Sequence, residues 1–417
     1  MPPEREECMS RERLIRNAQK ISVPGTAVRA AWLLVVFMGG FGQDAAAQAC
    51  PGVTLATGLR VPLGVTLSNE GNLIVSESGT AAVHSGRISI LAPNGTRRTL
   101  LDGLPSGLND VGEPSGPAGI IMRGRTAYVL IGVGDSVLAG PIPTTHLPNP
   151  AVSSPVYSSV LAIHFSANVE KNTAGFVLSL ADQAALADGE TVILSNGRGD
   201  TIEIELVTNF PNYVPAPQPG FPALVRASNP FSVALAGNDL YVTDGSRNLV
   251  WAVDIPTGAH AALVEFPPVA NPLFGVPGVP GGPTVEAVPT GIALADRQLL
   301  VALFRGVPFP PGTSTIMQVD PSTGGQAAFI SGLKTAIGVI QTKDRGDVGY
   351  LVLQHSSGLG PFFGGPGVVL GFDSAGPSPA VLANCLTRPS SMVLDEKAGI
   401  LYVAEIGGRV VALSIGS

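Results

Sequence analysis

The sequence predicts an all-β fold, and its composition carries the first part of that prediction. Of its 417 residues, 45% are hydrophobic and only 13% are charged, while glycine (52 residues) and proline (37 residues) are abundant. Such a chain can bury a core, and its many turn-forming residues favour short strands over helices. A recurring strand motif then narrows this fold class to one architecture.

The motif occurs six times along the chain. It consists of a proline, any residue, a small residue, an aliphatic stretch, a polar turn and a second strand, as in "VPLGVTLSNEGNLIVSES" and "VPTGIALADRQLLVALF". Each copy predicts two strands joined by a tight turn, and a third and often a fourth strand follow. The copies begin at Pro62, Pro117, Pro230, Pro289, Ala336 and Pro389, where alanine replaces the proline in the fifth copy.

Repeated units of four antiparallel strands are typical of the blades of a β-propeller, so six copies predict a six-bladed β-propeller. The sixth copy lacks a fourth strand, and we expect the N-terminal strand in "GVTLATGLRVP" to close that last blade. The second and third copies start 113 residues apart. We interpret residues 165–226 as an insertion with a β-hairpin, because long loop insertions cost little stability.

The N-terminus has the pattern of a secretory leader. Basic residues precede a short apolar run at residues 30–42, and small residues follow at Ala45, Ala47 and Ala49. We expect residues 1–49 to be a signal peptide, residues 50–417 to form the propeller, and the protein to be secreted or periplasmic. The run is shorter than the roughly 20 residues of a membrane-spanning helix, so no membrane span is predicted. An uncleaved anchor is the alternative.

Two cysteines, Cys50 and Cys385, follow the leader. Cys50 is either an ordinary residue or a lipidated first residue. The predicted strands place these cysteines near opposite rims of the fold, whereas a disulfide spans roughly 4.4–6.8 Å between Cα atoms. We therefore expect Cys385 to be a buried free thiol.

The loops that follow the second strand of each blade should meet on one face, and aromatic residues mark two of these loops. Prolines fix φ in these loops, so the loops should be ordered. The face predicts a binding surface for an apolar or aromatic small molecule or for a protein, and a hydrophobic cap over the ring is the alternative. The candidate residues are Phe304, Phe309, Phe362 and Phe363, together with Phe231 at the start of an inner strand.

A second set of candidates lies at the end of the second strand in four blades. These polar candidates for the central channel are Glu77, Asp244, His355 and Glu405. Converging carboxylates and a histidine could perform general acid–base chemistry. The recurrence of "VSE", "VTD" and "VAE" instead favours carboxylates that accept backbone N–H bonds in their own turns.

Other chemistry finds little support in the sequence. A net charge of −7 and the lack of a basic stripe argue against nucleic-acid binding. The predicted inner strands offer few oxygen ligands, so neither a metal nor a cofactor is expected. The chain has no nucleophile elbow, zinc-binding motif or phosphate-binding loop. A binding protein is therefore favoured over an enzyme.

The segment "VPTGIALADRQLLVALFRGVPFPPGTSTIMQVD" resembles the ScyD/ScyE family of secreted bacterial propellers, in which a "G-F-P-F-P-P-G" loop follows a blade strand. The resemblance covers most of residues 51–417, although the general blade pattern is shared with NHL and SMP-30-like propellers. It implies an exported six-bladed propeller associated with biosynthesis of scytonemin, an aromatic indole-derived sunscreen. It assigns no catalytic residues. The alternative function is a lactonase-like or strictosidine-synthase-like enzyme that acts at the channel.

Overall fold

A computed structural model describes residues 52–344, 347–373 and 379–415. Over these residues, every regular element is a β-strand except for two short helices, which confirms the predicted all-β class. Neither helix there is long and apolar enough to cross a membrane. The expected leader at residues 1–49 and the predictions about Cys50 lie outside the described residues.

The first sheet is an antiparallel meander in the order β2-β3-β4-β5. A short hairpin, β6–β7, follows it in the connection to the next sheet. The strands in this part of the chain are β1 (Gly52–Ala56), β2 (Pro62–Leu67), β3 (Leu73–Glu77), β4 (Gly86–Leu91), β5 (Arg97–Leu104), β6 (Gly107–Leu108) and β7 (Pro114–Ser115).

The second sheet contains the hairpin that was expected within residues 165–226. Its elements are β8 (Pro117–Arg123), β9 (Thr126–Ile131), β10 (Val137–Ala139), β11 (His146–Pro148), β12 (Ser159–His164), α1 (Ala167–Asn172), β13 (Phe176–Val177), α2 (Leu180–Ala187), β14 (Val192–Ser195), β15 (Thr201–Asn209), β16 (Tyr213–Pro215) and β17 (Val225–Ala227). The sheet order is β14-β15-β12-β9-β8, so the hairpin β14–β15 supplies the two outer strands rather than a separate unit. β13 instead pairs with β5 of the first sheet, and β10, β11, β17 and β16 form a small loop sheet.

Four further sheets follow the same plan. Their strands, besides β1, are β18 (Pro230–Ala236), β19 (Asp239–Asp244), β20 (Leu249–Asp254), β21 (His260–Glu265), β24 (Pro289–Ala295), β25 (Gln298–Leu303), β26 (Ser314–Val319), β27 (Gln326–Leu333), β28 (Ala336–Asp344), β29 (Asp347–Gln354), β30 (Gly367–Phe372), β31 (Ala380–Leu386), β32 (Pro389–Asp395), β33 (Ile400–Glu405) and β34 (Arg409–Ser414). The hairpin of β22 (Val269–Ala270) and β23 (Thr284–Val285) is a separate two-stranded sheet in the connection from β21 to β24. β18 to β21, β24 to β27 and β28 to β31 are four-stranded meanders, and the last sheet has the order β1-β34-β33-β32.

The first strand of each sheet, here called an inner strand, lies against the inner strand of the next sheet. The inner strands are β2, β8, β18, β24, β28 and β32, and β32 also contacts β2. Buried hydroxyls cross between the sheets at these contacts. The Thr290 hydroxyl donates to Ala336 O at 3.1 Å, and the Ser390 hydroxyl donates to Pro62 O at 2.7 Å.

The small residue of the repeat is explained by this close approach of the inner strands. A Cβ atom added at Gly64 would lie 2.4 Å from Ala118 O, and one added at Gly291 would lie 2.5 Å from Ile337 O. Backbone of the neighbouring sheet therefore occupies the space that a side chain would need, which is a position that favours glycine.

Apolar side chains fill the space between neighbouring sheets. For example, Phe210, which follows β15, stacks on Trp251 of β20 with ring centroids 5.2 Å apart. Both side chains are buried in one cluster with residues of the second and third sheets. Interdigitated packing of this kind joins consecutive sheets face to face.

The structure corrects the expectation for Cys385, which is disulfide-bonded and only partly buried. The other two cysteines of the chain lie outside the described residues.

Candidate functional site

Four rings from two loops form the aromatic cluster, which comprises Phe304, Phe309, His355 and Phe363. Phe309 stacks on Phe363 with centroids 4.4 Å apart and planes 23° apart. Phe304 meets Phe309 edge-on at 5.7 Å, and His355 meets Phe363 edge-on at 4.9 Å. Offset-stacked and edge-on contacts are the arrangements that aromatic quadrupoles favour, so the cluster is held by specific geometry as well as by burial.

Backbone hydrogen bonds hold the loop that carries Phe304 and Phe309. This loop follows β25, and Phe304 N donates to Val288 O at 3.0 Å. Phe309 N then donates to Gly306 O at 2.8 Å, closing a turn that includes the cis Val307–Pro308 bond. Phe309 has φ 57°, a conformation that a bulky side chain rarely adopts, so surrounding contacts must hold it there.

The loop after β29 is tied to this first loop. Phe362 N donates to Pro308 O at 2.8 Å, and Phe362 also has a positive φ of 61°. The loop between β22 and β23 approaches from the other side, since a Cβ at Gly281 would lie 3.2 Å from Pro308 Cδ. Pro308 is therefore the point at which three loops meet.

The cluster has a buried base and an exposed rim. Phe304 is buried and Phe309 is half-buried, whereas Phe362 and Phe363 are 41% and 43% exposed. Leu359, in the same loop as Phe363, is 89% exposed. We call the exposed surface of Phe362, Phe363, Leu359, Val307 and Phe274 the aromatic face. Exposed apolar side chains grouped on loops that meet one another are typical of an interaction site.

Phe231, the remaining aromatic candidate, does not belong to the exposed rim of the cluster. It is half-buried on the inner strand β18 and packs against the apolar core that contains Phe304. The structure thus brings four of the five aromatic candidates into the joined loops and places Phe231 beside their base.

The three carboxylates of the second candidate set have partners within their own sheets. Glu77 accepts a bond from Arg60 N at 2.6 Å, and Glu405 accepts one from Thr387 N at 2.7 Å. Asp244 accepts bonds from Asn229 N at 2.8 Å and from the Trp251 indole N–H at 3.2 Å. Each side chain is buried and accepts from a residue just before an inner strand rather than from its own turn, where the recurrence had placed the bond. Of the three, only Asp244 also accepts a backbone N–H bond from its own turn, from Arg247 N at 3.0 Å.

His355 does not occupy the position of the three carboxylates, because the strand register places Gln354 there. Gln354 pairs with Ala336 as Glu77 pairs with Pro62. Its side-chain oxygen accepts a bond from Lys334 N at 2.7 Å, the same role that Glu405 performs. The same register shift opens β2 and β32, so Gln354 is the true equivalent of Glu77 and Glu405, and the predicted alignment of this copy was wrong by one residue.

His355 instead belongs to the aromatic cluster and is neutral there. Burial lowers its pKa to about 4, and the nearby Arg388 cation acts in the same direction. Its Nδ1 lies 2.9 Å from Pro389 O, so Nδ1 carries the proton that is donated to this carbonyl. Nε2 is then free to accept a bond from Arg388 Nε at 3.5 Å. His355 is thereby oriented as a cluster ring rather than as a base directed to solvent.

Sequence reasoning overlooked three cations beside the cluster. The Arg388 guanidinium lies 6.0 Å from the centre of the Phe363 ring, and Arg305 and Lys334 are buried near the same loops. Arg305 is the second residue of "FRGVPFPPG", so its place in the motif was the available signal. Within the part of the chain that the structure describes, no group of three or more His, Cys, Asp or Glu side chains could hold a metal ion.

Comparison with known proteins gives structural likeness only. No family model matches the chain, and no curated protein matches it. A Trypanosoma rangeli sialidase in complex with 2,3-difluorosialic acid has a TM-score of 0.45 and 11% identity, covering 86% of this chain and 54% of the sialidase. A Thermus thermophilus putative oxidoreductase, described as a glucose dehydrogenase, has a TM-score of 0.43 and 15% identity, covering 87% and 98%. The chain thus spans about half the length of the sialidase, and likenesses of this level do not establish a function.

Proposed function

We infer that the six meander sheets are the blades of a closed six-bladed β-propeller. The contacts that run from each inner strand to the next, and from β32 back to β2, support this inference. The bond from the Ser390 hydroxyl to Pro62 O joins the last sheet to the first. β1 pairs with β34 as the outer strand of the last sheet, so the first and last strands that the structure describes lie in one blade. Closure by radial packing would leave few exposed sheet edges.

We propose that this propeller is a binding scaffold whose aromatic face holds an apolar or aromatic small molecule or a protein partner. The observation that carries the proposal is the stack of the half-buried Phe309 on Phe363, which holds the exposed Phe363 ring in place between two hydrogen-bonded loops. Rings held in place before binding lose little conformational entropy on binding.

An enzyme acting at the channel finds less support. The carboxylates Glu77, Asp244 and Glu405 are buried and accept bonds in their own sheets. A general acid or base must reach the proton that it transfers. These groups are instead engaged in holding the ends of loops, and their repetition from sheet to sheet fits an architectural role.

Export from a bacterial cell and membership of the ScyD/ScyE family remain part of the proposal. They rest on the leader pattern in residues 1–49 and on the "FRGVPFPPG" loop. Expression of the full chain in a Gram-negative bacterium, followed by N-terminal sequencing of the periplasmic product, tests export. A mature N-terminus at or near Cys50 is expected, and a full-length cytoplasmic product would contradict the proposal.

Binding is tested with indole, a neutral planar aromatic probe, by isothermal titration calorimetry. We expect indole to bind the wild-type protein and to bind Phe309→Ala and Phe363→Ala at least about tenfold more weakly, because stacked aromatic contacts are lost. Phe221→Ala is the control, since Phe221 is 38% exposed on a different loop. Equal loss in the control, or undiminished binding in both cluster variants, would place the site elsewhere.

A further inference from the structure

Arg305 and Lys334 are buried cations without a carboxylate partner among the described residues. Arg305 is 6% exposed and Lys334 is 5% exposed. Several other arginines of the protein are paired with carboxylates, as Arg60 is with Asp102 at 3.1 Å and Arg409 with Glu405 at 2.5 Å. A buried charge without a counter-ion is costly, so such groups normally have an oppositely charged partner.

The bonds of the two cations to the protein leave donor capacity unused. Arg305 Nε donates to Thr313 O at 2.9 Å, but the buried Nη1 has no hydrogen-bond partner. Lys334 Nζ donates to Gly360 O at 2.7 Å and to Gly358 O. An ammonium has three donors, so one remains. Burial alone lowers the pKa of both side chains, with no opposing contribution from an acidic group.

Arg305 belongs to one of the two loops that build the aromatic face, and Lys334, in the connection between β27 and β28, is hydrogen-bonded to the other. Arg305 directly follows Phe304, the buried ring at the base of the cluster. Lys334 bonds to the backbone of the loop that carries Phe362 and Phe363. The start of β26 links the two cations. Arg305 bonds to Thr313, just before that strand, and Ser314, its first residue, pairs with Leu333, the neighbour of Lys334 in the chain.

We propose that Arg305 and Lys334 bind the carboxylate of a ligand whose apolar part lies on the aromatic face. This inference rests on the proposed binding function and specifies the class of ligand. A guanidinium fork matches a planar carboxylate and can donate two parallel bonds to it. With one donor left on Lys334 and the Nη groups left on Arg305, a single carboxylate is a better match than a multiply charged phosphate. The carboxylate could belong to a small aromatic acid or to the C-terminus of a protein partner.

Calorimetry with matched probes tests the proposal. Phenylacetate carries the expected charge, whereas phenylacetamide has a similar shape without it. We expect the wild-type protein to bind phenylacetate at least about tenfold more tightly than phenylacetamide, and Arg305→Gln to abolish that preference, because a charge-assisted hydrogen bond contributes this much. Arg198→Gln removes the same charge at an exposed site and should keep the preference.

A second variant covers the case in which Arg305→Gln does not fold. Lys334→Gln should also reduce the preference for phenylacetate, and circular dichroism establishes that each variant is folded. The peptides Gly-Gly-Phe and Gly-Gly-Phe-amide distinguish the two sources of the carboxylate. Tighter binding of the free peptide than of phenylacetate indicates a protein C-terminus, and the reverse indicates a small aromatic acid.

The failure of this inference can be told apart from the failure of the proposed function. If phenylacetate and phenylacetamide bind equally, and Phe363→Ala weakens both, the aromatic face binds ligands and the anion site does not exist. If Arg305→Gln lowers only the melting temperature and leaves the preference intact, Arg305 merely holds its own loop and the inference is wrong. If neither probe binds, the proposed function falls as well.

Discussion

The Phe309 ring stacks on the Phe363 ring at a centroid distance of 4.4 Å, although the two residues belong to loops of different sheets. This contact joins the loop after β25 to the loop after β29, and the bond from Phe362 N to Pro308 O reinforces it. Phe304 and His355 complete the cluster below the stack. The aromatic face is therefore built by loops of two different sheets. The contact between the Phe309 and Phe363 rings can be measured as an energetic coupling between the two residues.

A double-mutant cycle should detect this coupling. Phe309→Ala, Phe363→Ala and the double variant are compared by urea denaturation. We expect an interaction energy of about 0.5–1.5 kcal/mol, the range measured for aromatic pairs. The pair Phe309→Ala and Phe329→Ala is the control, because Phe329 contacts Tyr350 instead, and its effects should add within about 0.5 kcal/mol. Purely additive effects for Phe309 and Phe363 would contradict the stacked arrangement.

His355 should make the stability of the protein depend on pH. The unfolded chain protonates this imidazole below about pH 6.5, whereas the folded protein does so only below its lowered pKa of about 4. The unfolded state therefore binds more protons between these values, and the free energy of unfolding should fall by up to about 3 kcal/mol as the pH falls from 6.5 to 4.

His355→Gln isolates this contribution. Its urea denaturation between pH 4 and 6.5 should show a weaker pH dependence than that of the wild-type protein, since glutamine can still donate to Pro389 O but does not titrate. The variant Phe221→Ala, which changes an exposed site and removes no titratable group, is the control and should retain the wild-type dependence. An unchanged slope for His355→Gln would mean that the imidazole is not held neutral by burial.

Asp244 should stabilise the fold. Asp244→Asn keeps the size of the side chain but replaces one acceptor oxygen with a donor, so bonds from Asn229 N, Arg247 N or the Trp251 indole are lost. We expect a destabilisation of about 1.5–3 kcal/mol, as for hydrogen bonds to charged groups. Asp188→Asn makes the same change at an exposed position and should cost little.

Trp251 provides the readout for that variant. The only other tryptophan, Trp32, lies in the proposed leader, so the fluorescence of the mature protein reports on Trp251 alone. The emission maximum should shift in Asp244→Asn and not in Asp188→Asn. A catalytic role would instead be indicated by an Asp244→Asn protein of wild-type stability that had lost an activity.

The N-terminal strand should be needed for a stable last sheet. A chain that begins at Gly58 lacks β1 and leaves β34 as an exposed edge, whereas a chain that begins at Gly52 keeps β1. We expect the shorter chain to melt at a lower temperature and to aggregate in size-exclusion chromatography, because unpaired strand edges promote association. Equal melting temperatures for the two chains would show that β1 does not close the sheet.

Much of the strand plan follows from the repeat. Each inner strand begins at the residue that opens a copy of the motif, from Pro62 in β2 to Pro389 in β32. The hairpin within residues 165–226 was also predictable, but its attachment to β12 as the outer part of the second sheet was not. Local pattern specifies strands and turns, whereas the partner of an outer strand depends on which edge is open in the folded chain.

The candidate site was only partly predictable for a related reason. The sequence by itself determined that Phe304, Phe309 and Phe363 lie in proline-rich loops after second strands, and that Glu77, Asp244 and Glu405 recur at the ends of second strands. Only the tertiary structure decided which rings touch, that Gln354 rather than His355 takes the acceptor position, and that Cys385 is disulfide-bonded.

Arg305 and Lys334 illustrate the physical basis of that division. Nothing in "FRGVPFPPG" distinguishes a buried cation from a solvated one, because burial is set by residues far away in the chain. The loops after β25 and β29 cover both side chains without supplying a carboxylate. Hydrophobic period and turn chemistry are local and can be read from the sequence. The desolvation of a charge arises from packing between sheets, and only the folded chain sets it.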